Sequence, residues 1–341
     1  MNIGIANDMP LAVEAMRRAI ALRPEHRVLW VATDGAQAAD FCAAQPPDIV
    51  LMDLIMPKCD GVEATRRIMS SDKPCAILVV TSSVGANTWR VYEAMGAGAL
   101  DAVDTPTLAD GGFGDAAQPL LAKIDQIGRL LDKPGADRSR AGMAARDGDA
   151  PLVAIGASAG GPLALASVLG QLPETFAAPI VMIQHVDKAF AEGMAQWLDG
   201  QTQLTVRVAL PGDRPAPGVA LLAATNDHLR LMRDGTLDYV REPADTPYRP
   251  SVDVFFNSVV ECWPGEAIGV LLTGMGRDGA IGLKAMRAKG WHTIAQDEAT
   301  SAVYGMPKAA AALSAARAIL PLSAIAPELA SRVKPPLQFA G

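Results

Sequence analysis

Ser158 stands in Gly156-Ala157-Ser158-Ala159-Gly160, a formal G-x-S-x-G, between the apolar run "LVAIGA" and a helix-like apolar repeat. A serine on a tight strand-to-helix turn projects its hydroxyl above a sheet, where it can serve as a nucleophile. Such a serine needs a base, and histidine suits the task because its pKa lies near neutrality. The chain has four: His26, His185, His228 and His292. His185 follows the strand-like "PIVMIQ", one crossover after Ser158, so adjacent strands would bring both to one rim of a sheet. His26 falls in the other half of the chain and His292 opens a strand, positions where a lone histidine is more often structural. His228 follows Asn226-Asp227 in a loop-like stretch. A carboxylate would fix the imidazole tautomer and stabilise its protonated form. Asp278, in the glycine-rich "TGMGRDGAIGL", is the candidate; Asp253 and Asp297 are rival acids, and a plain helix N-cap is the alternative role for Asp278. Backbone N–H groups of Ala159, Met275 and Gly276 are candidate oxyanion donors, because a glycine-rich rim at a helix start directs amides outward.

The same turn read as a dinucleotide site fails. A G-x-G-x-x-G fingerprint would put glycine where Ser158 stands, and no acidic residue ends a strand about twenty positions later. That argues against a nicotinamide-dependent oxidoreductase.

A second set of reactive residues lies near the amino terminus. Asp8 follows the first strand-like run and Asp53 ends the third, in "LMDLIMP". If those strands are neighbours, the two carboxylates can bind a hard cation such as Mg2+ through oxygen and leave Asp53 to accept a phosphoryl group. Thr81, ending "AILVVT", could then hydrogen-bond that group. The plainer reading is that both aspartates punctuate strand ends.

The elements that must position these residues are legible as alternation. "NIGIAN", "RVLWVA", "DIVLMD", "AILVVT" and "LDAV" read as strands; "PLAVEAMRRAIAL", "AQAADFCAA", "GVEATRRIM", "TWRVYEAMGA" and "PLLAKIDQIGRLL" read as the helices between and after them. Five strand-helix repeats predict a doubly wound (βα)5 parallel sheet, an α/β domain over residues 1–131. Residues 132–150 are polar, carry Gly and Pro, and show no apolar period, as a linker does. Residues 151–341 alternate again, through "LVAIGA", "PIVMIQ", "AIGVLLT" and "HTIAQ", and predict a second α/β domain with a mainly parallel sheet. "VALLAA" and "LRLMRDGTLDYV" interrupt that pattern as an insertion, with Asp234-Gly235 as a two-residue hairpin turn.

With 341 residues, each half can bury its own core. A net charge of -7 offers no basic face for nucleic acid and no polybasic anchor for a membrane. Cys42, Cys59, Cys75 and Cys262 lack metal-site or disulfide spacing, which suits a reducing, cytoplasmic setting. Neither a signal peptide nor a membrane span is expected.

"NDMP", "LMDLIMPKCDGVEATRRI", "VVTS" and "MGAGALDAVDTP" resemble the successive blocks of a two-component response-regulator receiver domain. The resemblance implies Asp53 as phosphoacceptor, Asp8 and the Ile55 carbonyl as further Mg2+ ligands, and Thr81 as the switch hydroxyl. Two positions depart from it. Asn7 precedes Asp8 where receivers usually carry two acids, and Thr105 precedes Pro106 where they usually carry lysine; losing that point charge weakens the hold on a phosphoryl group. "IGASAGGP", "IQHV", "YRPSVD", "LLTGMGRDGAIGL" and "AQDEATSAVYGMPKAA" resemble the catalytic domain of the chemosensory protein-glutamate methylesterases, the CheB family. That resemblance implies a Ser158-His185-Asp278 triad, and its chain order is not that of the α/β-hydrolases. It also implies glutamyl methyl esters of a chemoreceptor-like transmembrane receptor as substrate, glutamine deamidation by the same route, and a histidine kinase as phosphodonor. In that family the receiver restrains the esterase until it is phosphorylated. Ala159 departs from the hydroxyl residue often found after the nucleophile. The opening "MNIGIANDMPLAVEAMRRAI" looks closest to the Wsp-type (WspF-like) branch. From another class, the alternative is a phospho-regulated docking protein with an inactive esterase domain.

Overall fold

A computed structural model describes residues 1–82, 88–107, 113–132, 150–246 and 248–333, without the side chains of 88 and 129–132. The expected linker, 132–150, lies almost wholly outside the described residues. The chain divides into two compact units, Met1–Pro134 and Gly135–Gly341.

In the first unit the chain runs β1 (Asn2–Ala6), α1 (Pro10–Ala21), β2 (Arg27–Ala32), α2 (Gly35–Ala44) and β3 (Ile49–Met52). It continues through α3 (Gly61–Met69), β4 (Ala76–Thr81), α4 (Thr88–Gly96), β5 (Asp101–Asp104) and α5 (Phe113–Asp132). The described strands form one parallel sheet in the order β2-β1-β3-β4-β5. β3 and β4 are buried along their whole length, which is why they read as continuous apolar runs rather than alternating ones. Helix starts are set by side-chain caps: Asp34 accepts the Gln37 N–H and Asp60 the Glu63 N–H, each at 2.9 Å. α5 begins six residues before the expected Pro119, which sits inside the helix. Strand order reverses between β1 and β3, and this opens a crevice beyond their carboxyl ends.

The second unit runs β6 (Leu152–Ala157), α6 (Gly161–Gly170), β7 (Ile180–Gln184), α7 (Lys188–Asp199), β8 (Thr205–Val208) and β9 (Val219–Leu222). After these come β10 (His228–Leu231), β11 (Leu237–Val240), α8 (Val252–Cys262), β12 (Ala267–Leu271) and α9 (Ala280–Ala288). β13 (His292–Gln296), α10 (Met306–Ala312), β14 (Ala318–Leu320) and α11 (Leu322–Arg332) complete it. Seven of the described strands form a parallel sheet, β14-β13-β12-β6-β7-β9-β8. Its switch point lies between β6 and β12.

Two expectations need correction here. "VALL" is not part of the insertion: it is β9, a buried strand paired with both β7 and β8. The insertion is the antiparallel β10–β11 pair alone, and its turn has three residues, Arg233 to Gly235, closed by the Met232 N–H on the Thr236 carbonyl. Gly235 takes φ +83°, the left-handed residue that ends a three-residue hairpin. The insertion's inner face joins the core: Leu229, Leu231 and Leu237 pack with Phe255 and Val259 of α8. Among the described residues no helix is long and apolar enough to cross a membrane.

Candidate active site

Ser158 and His185 each follow the last residue of neighbouring strands, and Ala157 is the register partner of Gln184. The His185 N–H donates to the Ala157 carbonyl at 3.1 Å, so the two side chains leave the same rim of the sheet. The serine turn is braced from β12's extension. Ser158 N–H donates to Thr273 O at 3.0 Å, and Thr273 Oγ1 donates to Ala159 O at 2.9 Å. Gly160 takes φ +79° to turn the chain into α6. Gly274 is held beside the serine; a Cβ there would lie 2.8 Å from Ser158 Cβ. From the next strand, Gln184 Nε2 donates to Ser158 O at 2.9 Å.

His185 Nε2 lies 2.8 Å from Asp278 Oδ2. An ionised carboxylate only accepts, so Nε2 carries the proton and Nδ1 presents a lone pair. The ring nitrogens thus exchange the places they hold in the serine-protease arrangement. Ser158 is 2 % and His185 5 % exposed, and Ser158 Oγ and His185 Nδ1 have no hydrogen-bond partner among the described residues. Two buried polar atoms left unmatched on residues at one rim of the sheet call for an explanation that a packed core does not give, and an incoming reacting group supplies one.

Asp278 is not the cap of its own helix. It accepts the Val252 N–H at 2.7 Å, the Asp253 N–H at 3.0 Å and the Ser251 hydroxyl at 2.8 Å, all at the start of α8, together with its neighbour Gly279 N–H at 3.0 Å. Burial pushes its pKa up; the His185 hydrogen bond and charge, with these amides, prevail and hold it below the ordinary carboxylate range. Asp253 answers from the other side by accepting the Gly282 N–H of α9 at 2.7 Å. The starts of α8 and α9 therefore cap each other through this pair of aspartates. Burial and the Asp278 charge push Asp253 up to about 8. The other rival, Asp297, accepts the Thr300 N–H and hydroxyl within its own turn.

Tyr248, buried, stacks on His185 with ring centroids 3.8 Å apart and planes 15° from parallel. Two of the remaining histidines are elsewhere, His26 3.3 Å from Asp125 and His292 3.0 Å from Glu328, whereas His228, wholly buried at the start of β10, accepts the N–H of Ser251, whose hydroxyl is on Asp278.

In the first unit, β1 and β3 are neighbours, so Asp8 and Asp53 flank one crevice. Asp53 is 8 % exposed, and Oδ1 accepts the Leu54 N–H at 2.7 Å. Burial is the main cause that raises its pKa, and the Asp8 charge adds to it; the Leu54 and Ile55 amides and the Thr81 hydroxyl pull the other way. Thr81 is buried at the end of β4, and the Thr105 N–H donates to its carbonyl at 2.9 Å. Asn7 is buried, and its side-chain oxygen accepts the Met9 N–H at 2.8 Å.

Residues 153–329 match the family described as CheB methylesterase, and residues 3–110 match the response regulator receiver domain. The chain is 79% identical over 331 residues to protein-glutamate methylesterase/protein-glutamine glutaminase 1 of Burkholderia lata, covering 97% of this chain and 99% of that protein. It is 70% identical over 336 residues to protein-glutamate methylesterase/protein-glutamine glutaminase 4 of Burkholderia thailandensis, 98% of each. The crystal structure of the Thermotoga maritima CheB methylesterase catalytic domain superposes with a TM-score of 0.52 at 34% identity, over 54% of this chain and all of that one. A receiver followed by this second α/β unit thus matches relatives along nearly their whole length, and the chain belongs to the CheB methylesterase family.

Proposed function

We infer that the chain is a phosphorylation-regulated protein-glutamate methylesterase that also deamidates protein glutamine. The observation that carries this reading is the pair of buried, unpartnered atoms, Ser158 Oγ and His185 Nδ1, with the opposite ring nitrogen bound to Asp278. His185 Nδ1 takes the Ser158 proton as Oγ attacks the γ-carbonyl carbon of a glutamyl methyl ester. Asp278, kept ionised, stabilises the imidazolium. Methanol leaves with the proton from His185; water, deprotonated by the same nitrogen, then hydrolyses the acyl-enzyme to free glutamate. With glutamine, ammonia leaves in place of methanol. The N–H groups of Ala159, Met275 and Gly276 meet no acceptor among the described residues, which supports their role as oxyanion donors.

In the receiver, Asp53 is the phosphoacceptor. The Asp8 and Asp53 carboxylates and the Ile55 carbonyl form a hard oxygen set that fits Mg2+, and the Asp8 charge that raises the Asp53 pKa is what a divalent cation would offset. When bound, the ion neutralises charge on the phosphoryl group. Thr81, already on the Asp53 carboxylate, hydrogen-bonds that group and carries the switch toward Thr105. The partners are a methylated chemoreceptor-like transmembrane receptor, through its cytoplasmic helices, and a histidine kinase. The unphosphorylated receiver restrains the esterase.

A fluorophosphonate probe tests the serine chemistry. We expect labelling on the peptide that contains Ser158, abolished by Ser158→Ala and strongly reduced by His185→Ala. Equal labelling of the wild type and Ser158→Ala would overturn the assignment.

A further inference from the structure

We propose that Tyr248 is a positioning residue for the esterase, and that His228 holds it in place; the proposal rests on the serine reading above. A triad histidine must keep its ring plane while its proton comes and goes, because a displacement of about 1 Å can cost on the order of 10²-fold in rate. Asp278 grips only one edge of the His185 ring, at Nε2. One hydrogen bond leaves the ring free to swing about that contact. Tyr248 closes this freedom by lying flat on the ring, 3.8 Å between centroids and 15° from parallel. An aromatic face also favours the imidazolium that forms when Ser158 is deprotonated.

Tyr248 lies in the connection between β11 and α8, and His228 grips that connection on both sides of it. His228 Nε2 donates to the Pro243 carbonyl at 3.1 Å and lies 3.1 Å from Thr246 Oγ1, while Nδ1 accepts the Ser251 N–H at 3.1 Å. Ser251 in turn donates its hydroxyl to Asp278. His228 is 0 % exposed and touches neither reacting atom, so its part is support. The hairpin insertion thus supplies the brace for the connection that covers the catalytic ring.

The test compares Tyr248→Leu and Tyr248→Phe in the full-length protein, with a small aryl ester as substrate and circular dichroism to check folding. For Tyr248→Leu we expect a fall in kcat of about tenfold or more with KM within about twofold, while Tyr248→Phe stays near wild type, because it keeps the stacked face. ¹⁵N spectra of the His185 ring provide a readout independent of turnover: one tautomer, protonated at Nε2, in the wild type and Tyr248→Phe, and averaged nitrogens in Tyr248→Leu. An unchanged kcat and an unchanged ring spectrum in Tyr248→Leu would overturn the proposal, as would a Tyr248→Phe variant that falls as far as Tyr248→Leu. A wild type with no esterase activity would defeat the serine reading instead, and the ring spectra would still decide the role of Tyr248. His228→Gln, if folded, should show a weaker version of the Tyr248→Leu effect.

Discussion

Asp278 and Asp53 are both carboxylates drawn out of water at the carboxyl rim of a parallel sheet, and their surroundings drive them in opposite directions. Asp278 meets donors at close to every lone pair, from His185, Ser251 and the amides of Val252, Asp253 and Gly279, so it stays charged despite burial. Asp53 has fewer donors and a like charge opposite, so burial prevails and its pKa rises. Desolvation alone therefore does not define a site. On the reading proposed above, the carboxylate kept as a fixed counter-charge is surrounded by donors, whereas the one proposed to take a phosphoryl group is left with fewer.

The largest expected effects break the first half of this comparison. Asp278→Asn keeps the shape but removes the charge, and it should lower kcat by roughly 10³- to 10⁴-fold through loss of tautomer and imidazolium control. Its five donors then face a poorer acceptor, so stability should fall by about 2–3 kcal/mol in denaturant titration. An Asp278→Asn protein with near-normal kcat would make Asp278 only a helix cap. For the receiver we expect the opposite sign of stability effect: Asp53→Asn removes a charge that is unfavourable at neutral pH, and should raise the melting temperature of the receiver unit while abolishing labelling by a small phosphodonor with Mg2+. A lower melting temperature in Asp53→Asn would contradict the account of that site.

Smaller effects sharpen the comparison. Thr105→Lys restores a cation beside the phosphosite and should increase phosphodonor labelling and its activation of the esterase severalfold. A fragment that starts at Ala150 should hydrolyse a receptor ester faster than the unphosphorylated full-length chain; a fragment that folds but is no faster would remove restraint by the receiver from the account.

The smallest is a pH effect. Burial, the largest cause, lowers the His228 pKa below its ordinary 6.5, so its stabilising contribution is full above 6.5 and is lost as pH falls toward the folded value. Asp278 follows the same sign further down: its contribution is full above 3.8 and lost as pH falls through its lowered value. Acid therefore withdraws the His228 contribution below 6.5 and the Asp278 contribution only below 3.8. Asp253, raised to about 8, adds stability as pH falls from 8 toward 3.8, so the His228 stage is read as the difference between wild type and His228→Gln. His228→Gln should flatten that stage, and an unchanged pH profile in that variant would count against the buried neutral imidazole.

Much of the architecture was legible because parallel strands covered on both faces leave continuous apolar runs, as "AILVVT", "LVAIGA" and "AIGVL" do. The placement of Ser158 and His185 at one rim was legible because both follow strand ends, one crossover apart. What the sequence concealed is non-local. β8 and β14 are short, partly exposed edge strands with little apolar run to read, and β9 looked like part of the insertion because it directly precedes β10. Asp253 and Asp278 looked like competitors, yet the sheet order brings the starts of α8 and α9 together and makes each aspartate the other helix's cap. The Tyr248 stack joins residues 63 positions apart, and the Thr273 brace on Ser158 spans more than a hundred. No local spacing announces either.

The central claim is that Ser158, through His185, cleaves glutamyl methyl esters on a receptor. Its most direct measurement is methanol release from a methyl-labelled receptor cytoplasmic fragment, wild type against Ser158→Ala, with phosphodonor and Mg2+ present in both. We expect wild-type release to be at least roughly 10³-fold faster, since members of a triad act as one unit. If the folded wild-type protein binds the methylated fragment but releases methanol no faster than Ser158→Ala, the chain is a docking protein and the esterase account is wrong.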